Sequence, residues 1–120
     1  MQGSKSVLRF EDLEVWKRSS RLCVEVYKEL ATCRDFGFKD QITRCSLSVP
    51  SNIAEGFERG SNKDSVKFFY YAKGSCGELR TQTYIGIKIG YIDKEKGLNW
   101  KREAEEVSRM LSALIQARSS

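Results

Sequence analysis

Apolar residues recur every three or four positions along most of the chain, which is the spacing of an amphipathic α-helix. The first such segment opens with acidic residues at Glu11 and Asp12, where carboxylates suit the positive end of a helix dipole. Its apolar stripe comprises Leu13, Trp16, Ser20, Cys23, Tyr27 and Leu30. The pattern predicts a first helix over residues 10–33.

A second stripe predicts a helix over residues 39–59, with Ile42, Ser46, Val49, Ile53 and Phe57 on one face. Pro50 lies in its middle. Proline lacks a backbone donor and its ring crowds the carbonyl four residues earlier, so we expect a kink at Pro50. The alternative is two short helices, the second capped by Ser51 or Asn52.

The third helix is predicted over residues 62–89, because Gly60 is a helix stop and Ser61 with Asp64 forms a capping pattern. Its stripe comprises Ser65, Phe69, Ala72, Cys76, Leu79, Thr83 and Gly86. The small residues of this stripe, with Gly74 and Gly77 nearby, predict close approach to a neighbouring helix.

The fourth helix has its stripe at Trp100, Ala104, Val107, Leu111 and Leu114. Because Gly97 interrupts the pattern, this helix starts either at Asp93 or at Leu98. Short loops between helices make successive helices antiparallel. The sequence therefore predicts an all-α, up-down-up-down four-helix bundle over residues 10–117, preceded by a flexible arm at residues 1–9.

Composition supports one globular domain: 120 residues, 40% apolar and 31% charged, with a single proline. No apolar run is long enough to span a bilayer and no signal-peptide core follows Met1, so we expect a cytoplasmic protein.

Four cysteines are present, at Cys23, Cys33, Cys45 and Cys76. They are interpreted as buried, reduced side chains, the alternative being a thiolate metal site.

Catalysis is not expected, because the chain contains no histidine and therefore no Ser-His-Asp or Cys-His arrangement. No phosphate-binding glycine loop is present, and no cofactor or metal is predicted. Glu55, Glu58 and Glu78 could in principle form an acid/base or metal site. The preferred interpretation makes Glu55 a partly buried anchor that holds the second helix to a neighbour, together with Ser51 and Asn52.

Charge adds a functional hypothesis: the formal net charge is +5 and the pI is about 9.1, which suits an acidic partner such as RNA or DNA. One arc of the third helix contains three cations and a tyrosine, Lys73, Arg80, Lys88 and Tyr84. Gly77 lies on the same arc, and Tyr70 is on the same side. Such residues contact phosphates and stack on bases. Three further candidates are Lys17, Arg21 and Arg44. The alternative for this arc is a solvated face or a subunit interface.

Four segments carry a family resemblance: residues 10–17 (FEDLEVWK), 41–44 (QITR), 48–56 (SVPSNIAEG) and 72–79 (AKGSCGEL), with the turn at Gly90-Tyr91. They resemble the bacterial four-helix-bundle proteins encoded by intervening sequences of 23S rRNA genes. The chain departs from that family at Cys76-Gly77 and Arg80, where larger apolar or acidic residues are common. The segment at residues 48–56 contains a motif that comprises Ser48, Pro50, Ser51, Asn52, Glu55 and Gly56. We interpret it as structural, with a ligand site as the alternative.

The resemblance implies an antiparallel bundle that assembles into a homo-oligomeric ring, a pentamer, without catalytic activity. It also implies kinship with the accessory proteins of diversity-generating retroelements, which bind nucleic acid and a reverse transcriptase. The leading hypothesis is therefore a basic homo-oligomer that binds RNA, DNA or a nucleic-acid enzyme. The alternative is a scaffold that binds only proteins.

Overall fold

A computed structural model describes residues 9–119, in which the regular secondary structure is entirely helical. A short 3₁₀ turn at Phe10–Asp12 precedes four α-helices. The helices are α1 (Glu14–Glu29), α2 (Phe36–Glu58), α3 (Asn62–Lys88) and α4 (Lys94–Ser119). The all-α class is confirmed. The predicted arm lies outside the described residues except for Arg9, which pairs with Asp12 at 3.2 Å.

Each helix packs against the next one in the chain, and α1 packs against α4. In the diagonal pairs, α1 with α3 and α2 with α4, the backbones are farther apart: fewer than three residue pairs in the described part of the chain have Cα atoms within 8 Å. Glu29 near the end of α1 bonds Lys96 near the start of α4, so these two helices are antiparallel. The result is an up-down-up-down bundle of 50 × 24 × 19 Å.

The buried face of α1 overlaps the predicted stripe but is rotated from it. Cys23 and Leu30 are buried as predicted, and Leu13 and Trp16 pack against the core, whereas Tyr27 is 43% exposed. The remaining buried residues, which were not predicted, are Val15, Ser19, Leu22 and Val26. The observed rotation brings Arg18 and Glu25 against α4, where both form hydrogen bonds. Helix α1 also begins later than predicted, because Leu13 has an extended backbone.

Helix α2 starts at Phe36, three residues earlier than predicted, because Asp35 caps it by accepting a hydrogen bond from the Phe38 amide at 3.1 Å. It is continuous through Pro50. The alternative of two short helices is therefore wrong, whereas the kink at Pro50 stays a prediction. Pro50 itself is buried.

Helix α3 agrees with its predicted stripe, since all seven stripe residues are buried. Ser61 caps it, accepting a hydrogen bond from the Asp64 amide at 3.2 Å. Helix α4 is one helix from Lys94, so the start at Leu98 is wrong. Gly97 lies inside it, buried where an added Cβ would meet the Ile87 side chain at 2.5 Å.

The core consists of two apolar clusters stacked along the bundle. One contains Val49, Phe69 and Leu111, with Leu13 packed against it. The other contains Ile42, Leu79 and Trp100. The four helices therefore share one interior, as predicted. None of the helices in residues 9–119 has the length and apolarity that a bilayer crossing requires.

Candidate nucleic-acid interface

The candidate residues of α3 line a groove against α4, which we call the α3/α4 groove. Its α3 wall comprises Tyr70, Lys73, Gly77, Arg80, Tyr84 and Lys88. Its α4 wall comprises Lys101, Glu105, Ser108, Ser112 and Gln116. The groove is long because antiparallel packing keeps the two helices side by side over most of their length.

The Tyr84 ring lies between cations from both walls of the groove, and half of its surface is open to solvent. The ammonium of Lys101 lies 5.2 Å from the ring centroid, and that of Lys88 lies 5.6 Å away. Both distances are within the range of a cation–π contact. The aromatic ring and two cations thus converge from two helices on one exposed point.

Arg80 and Lys73 reach across the groove to polar groups of α4. Arg80 bonds Glu105 at 3.3 Å, with both side chains about two-fifths exposed. Its Nε atom is buried and has no hydrogen-bond partner among the residues that the structure describes. The Lys73 ammonium donates to the Ser108 hydroxyl at 3.0 Å. These contacts fix the cations in position without neutralising Lys73.

The charge in the groove is unbalanced. Lys73, Arg80, Lys88 and Lys101 face one carboxylate, that of Glu105, among the groove residues defined above. The side of the bundle between α1 and α4 is different, because carboxylates there match the cations. Arg18 pairs with Glu103, Lys96 with Glu29 and Arg109 with Glu106, and Arg21 lines a cleft that contains Glu14 and Glu25. An anionic ligand would therefore be attracted to the α3/α4 groove more strongly than to the α1/α4 surface.

The other three predicted candidates lie elsewhere. Lys17 and Arg21 are exposed on α1, the helix diagonally opposite α3 in the bundle. Arg21 lines a cleft between α1 and α4 that also contains Glu25. Arg44 is exposed on α2 and pairs with Asp40 at 2.9 Å. The structure thus brings four of the seven predicted residues together and leaves three on other surfaces.

Lys101 belongs to the groove although it is not among the seven predicted residues. The sequence does carry a signal for it, because residues 101, 105, 108 and 112 follow one face of α4 at intervals of three and four. The same spacing predicts a pair between Lys101 and Glu105 on the outside of the helix. In the structure Glu105 bonds Arg80 instead, which leaves Lys101 beside Tyr84.

The segment around Pro50 packs α2 against α3. The Ser48 hydroxyl lies 2.6 Å from the Ser75 hydroxyl, and the Gly56 carbonyl accepts a hydrogen bond from Ser65 at 2.7 Å. Asn52 donates to the Ser48 carbonyl within α2 at 2.9 Å. These contacts agree with a structural role for the motif.

The predicted role of Glu55 as an anchor between helices is wrong. Its carboxylate is exposed and pairs with Arg59, one turn later in α2, at 2.7 Å. Ser51 is also exposed. Position 55 faces outward because the buried face of α2 runs through Val49, Ile53 and Gly56.

Burial governs the chemistry of the cysteines. It raises the pKa of Cys45 to about 12 and that of Cys76 to about 11, and it also raises the pKa of Cys23. All four cysteines are free thiols, and Cys33 is the most accessible of them. Within residues 9–119, no three side chains of metal-binding type come together.

Comparison with known proteins places this fold in a family. A solved structure with a similar fold is that of a protein of unknown function from the S23 ribosomal protein family of Bacteroides thetaiotaomicron VPI-5482, at 1.70 Å resolution. The TM-score is 0.78 at 24% sequence identity, covering 84% of this chain and 97% of that one. No curated protein matches the sequence significantly. The sequence does match the family described as 23S rRNA-intervening sequence protein over residues 11–113. The chain therefore belongs to the 23S rRNA-intervening sequence protein family.

Proposed function

We propose that this protein is a non-enzymatic, homo-oligomeric basic bundle that binds nucleic acid along the α3/α4 groove. The observation that carries the proposal is the composition of that groove: four cations and two exposed tyrosines against one carboxylate. Lysine and arginine contact phosphates, and tyrosine rings stack on bases. A nucleic-acid enzyme bound to the same nucleic acid is a compatible partner.

Phosphate contacts dominate binding of this kind. Each cation that neutralises a phosphate releases counterions, so affinity falls steeply as salt rises and depends little on base sequence. Lys88 and Lys101 are the leading phosphate contacts, because neither forms an ion pair with a carboxylate within the described chain. Arg80 contributes less, because Glu105 already competes for its guanidinium.

The homo-oligomer is supported by a second surface, on the opposite side of the bundle. Val24 on α1 is 52% exposed, and Phe36 and Leu47 on α2 are 70% and 48% exposed. Apolar side chains on this α1/α2 surface favour contact with a second copy. The family resemblance implies a ring of five subunits, which we extend to this chain. A ring would repeat the α3/α4 groove and so turn weak contacts into multivalent binding.

Nucleic-acid binding is tested by fluorescence anisotropy with labelled RNA and DNA, single-stranded and double-stranded, at about 50 mM and about 200 mM salt. The proposal predicts binding at the lower salt and a loss of affinity on the order of tenfold or more at the higher salt. Absence of binding to every probe at about 50 mM salt contradicts it. In that case, recovery of a protein partner after nuclease treatment would identify a scaffold that binds only proteins.

A further inference from the structure

Two glycines in the middle of α3 are not explained by packing within the bundle. A Cβ added at Gly74 or at Gly77 would meet no atom within 4 Å. The expectation that they permit close helix approach is therefore wrong. By contrast, a Cβ at Gly56 would collide with the Phe69 ring at 2.6 Å, and one at Gly97 with Ile87 at 2.5 Å. Glycine lowers helix propensity, so the open positions call for another explanation.

Gly77 is exposed and lies in a shallow, open hollow of the α3/α4 groove, whereas Gly74 does not line it. The Gly77 hollow is lined by Gly77, Arg80, Thr81, Tyr84 and Lys101 and has a volume of about 340 Å³. The Thr81 hydroxyl donates to the Gly77 carbonyl at 3.1 Å, so it does not block the space above the glycine. The hollow thus combines an open space over Gly77, a guanidinium, an ammonium and the Tyr84 ring.

We propose, resting on the function proposed above, that the α3/α4 groove binds single-stranded nucleic acid, with one unpaired base seated over Gly77 against the Tyr84 ring. The flanking phosphates contact Lys88 and Lys101, which lie on either wall of the groove beside that ring. The open space over Gly77 accepts the flat base because position 77 has no side chain.

The competing contacts at Tyr84 favour this arrangement. In the free protein the ring is approached by two solvated lysines, and exposed cation–π contacts of this kind are weaker than base stacking on an aromatic ring. A base can therefore replace the lysines at the ring. Their ammonium groups are on flexible side chains and remain free to turn to the phosphates.

A double helix does not satisfy the same hollow. The Tyr84 ring is half exposed, so the walls of the groove do not limit access to it. The paired bases of a duplex are stacked on one another and covered by its backbones, so they present no free face to the ring. A duplex would contact the rims of the groove through phosphates only.

The first test compares a labelled 12-nucleotide single strand with a hairpin duplex of equal charge, at about 50 mM salt, by anisotropy. We expect the single strand to bind more tightly. Tyr84→Leu should weaken single-strand binding by about 5- to 100-fold, as loss of one stacked base does. Tyr84→Phe should retain it, and duplex binding should change little in either variant.

The second test uses the two open glycines as a matched pair. Gly77→Gln places a flexible side chain in the hollow and should weaken single-strand binding by at least fivefold. Gly74→Gln makes the same change one turn earlier, outside the hollow, and should leave binding unchanged. Both variants should be at least as stable as the parent, because glutamine is a better helix former than glycine.

The outcomes separate this inference from the proposed function. Equal affinity for strand and duplex, with no effect of Tyr84→Leu or Gly77→Gln, overturns the single-strand site but leaves nucleic-acid binding in place. If Gly77→Gln changes the oligomeric mass rather than strand affinity, the hollow belongs to a subunit interface and the inference is wrong. If no probe binds, the proposed function fails and this inference fails with it.

Discussion

Arg18 and Glu103 show that the ion-pair partner of a charged residue cannot be identified from its neighbours in sequence. The spacing of α1 predicts surface pairs of Arg18 with Glu14 and of Arg21 with Glu25. Instead, Arg18 donates two hydrogen bonds of 2.8 Å to Glu103 on α4. Spacing along one helix identifies every charge that is able to pair, but the choice of partner depends on how α1 and α4 are rotated against each other.

The Arg18–Glu103 pair predicts how stability depends on pH. The hydrogen bond from Arg18 holds the pKa of Glu103 below its ordinary value of 4.5. The pair therefore stabilises the folded state above that pH, and this stabilisation is lost as pH falls through the lowered pKa. We expect Glu103→Gln to reduce the free energy of unfolding by about 1 kcal/mol at neutral pH and by much less at about pH 3.

Urea unfolding followed by circular dichroism at both pH values measures this difference. Glu55→Gln is the control, because exposed Glu55 pairs with exposed Arg59 on its own helix, α2, and it should cost a few tenths of a kcal/mol at most. An equal loss for Glu103→Gln at the two pH values would contradict the role of the carboxylate charge.

The cysteines predict a pattern of chemical reactivity. Thiolate is the reactive form, and burial disfavours it at Cys23, Cys45 and Cys76. We expect one thiol, that of Cys33, to react rapidly with a disulfide reagent at about pH 8 in the native protein. All four should react in urea. Rapid reaction of two or more thiols without denaturant would contradict the burial of the other three.

At the scale of elements, the bounds of a helix were predicted correctly where both its N-cap and its apolar stripe were clear in the sequence. Helix α3 has a strong cap at Ser61 and one unambiguous stripe, and both were predicted correctly. The start of α2 was not, although Asp35 is a typical N-cap residue. Its side chain also accepts a hydrogen bond from the Tyr91 hydroxyl at 3.0 Å, and no local signal reveals that contact. The start of α4 was ambiguous because only the folded structure shows Gly97 to be buried.

Glycines within helices supply a prediction about the α2–α3 contact. A Cβ at Gly56 would lie 2.6 Å from Cε1 of Phe69 and 3.0 Å from the Ser65 carbonyl oxygen. Phe69 is fully buried and the carbonyl belongs to the backbone, so neither moves away easily. We expect Gly56→Ala to destabilise the protein by about 2 kcal/mol. Gly74→Ala is the control: position 74 faces open space, so this change should stabilise the protein by up to about 1 kcal/mol. Thermal unfolding of both variants measures the contrast. If Gly56→Ala stabilised the protein, the result would contradict the packing of Gly56 against Phe69.

At the scale of the whole molecule, the sequence indicated the α3 wall of the candidate site but not its α4 wall. The angular positions of Lys73, Arg80, Tyr84 and Lys88 follow from helix geometry alone. Which residues of α4 face them depends on the register between two helices, and this register is set by core packing rather than by any local signal. For the same reason, the net charge alone could not show that Lys17, Arg21 and Arg44 lie on other surfaces.

The exposed apolar surface of α1 and α2 predicts a homo-oligomer that depends on Leu47. In native mass spectrometry, the parent protein should have a mass several times the 13.8 kDa of one chain. Leu47→Glu places a charge in the proposed interface and should reduce the mass toward that of a monomer. Leu98→Glu makes the same change at a partly exposed leucine of α4 and should not. A monomeric parent, or equal masses for the two variants, would contradict the proposed interface.

The measurement that tests the central claim most directly is the salt dependence of single-strand binding by two double variants of equal charge. Lys88→Gln/Lys101→Gln removes two cations from the α3/α4 groove, and Lys63→Gln/Lys67→Gln removes two exposed cations from the start of α3. If the groove binds phosphates, the first variant binds more weakly and the slope of log affinity against log salt falls by about 1.4, the value for two lost contacts. The second variant should keep the parent's slope. Equal slopes for the two variants would show that binding follows net charge and would contradict a site in the groove.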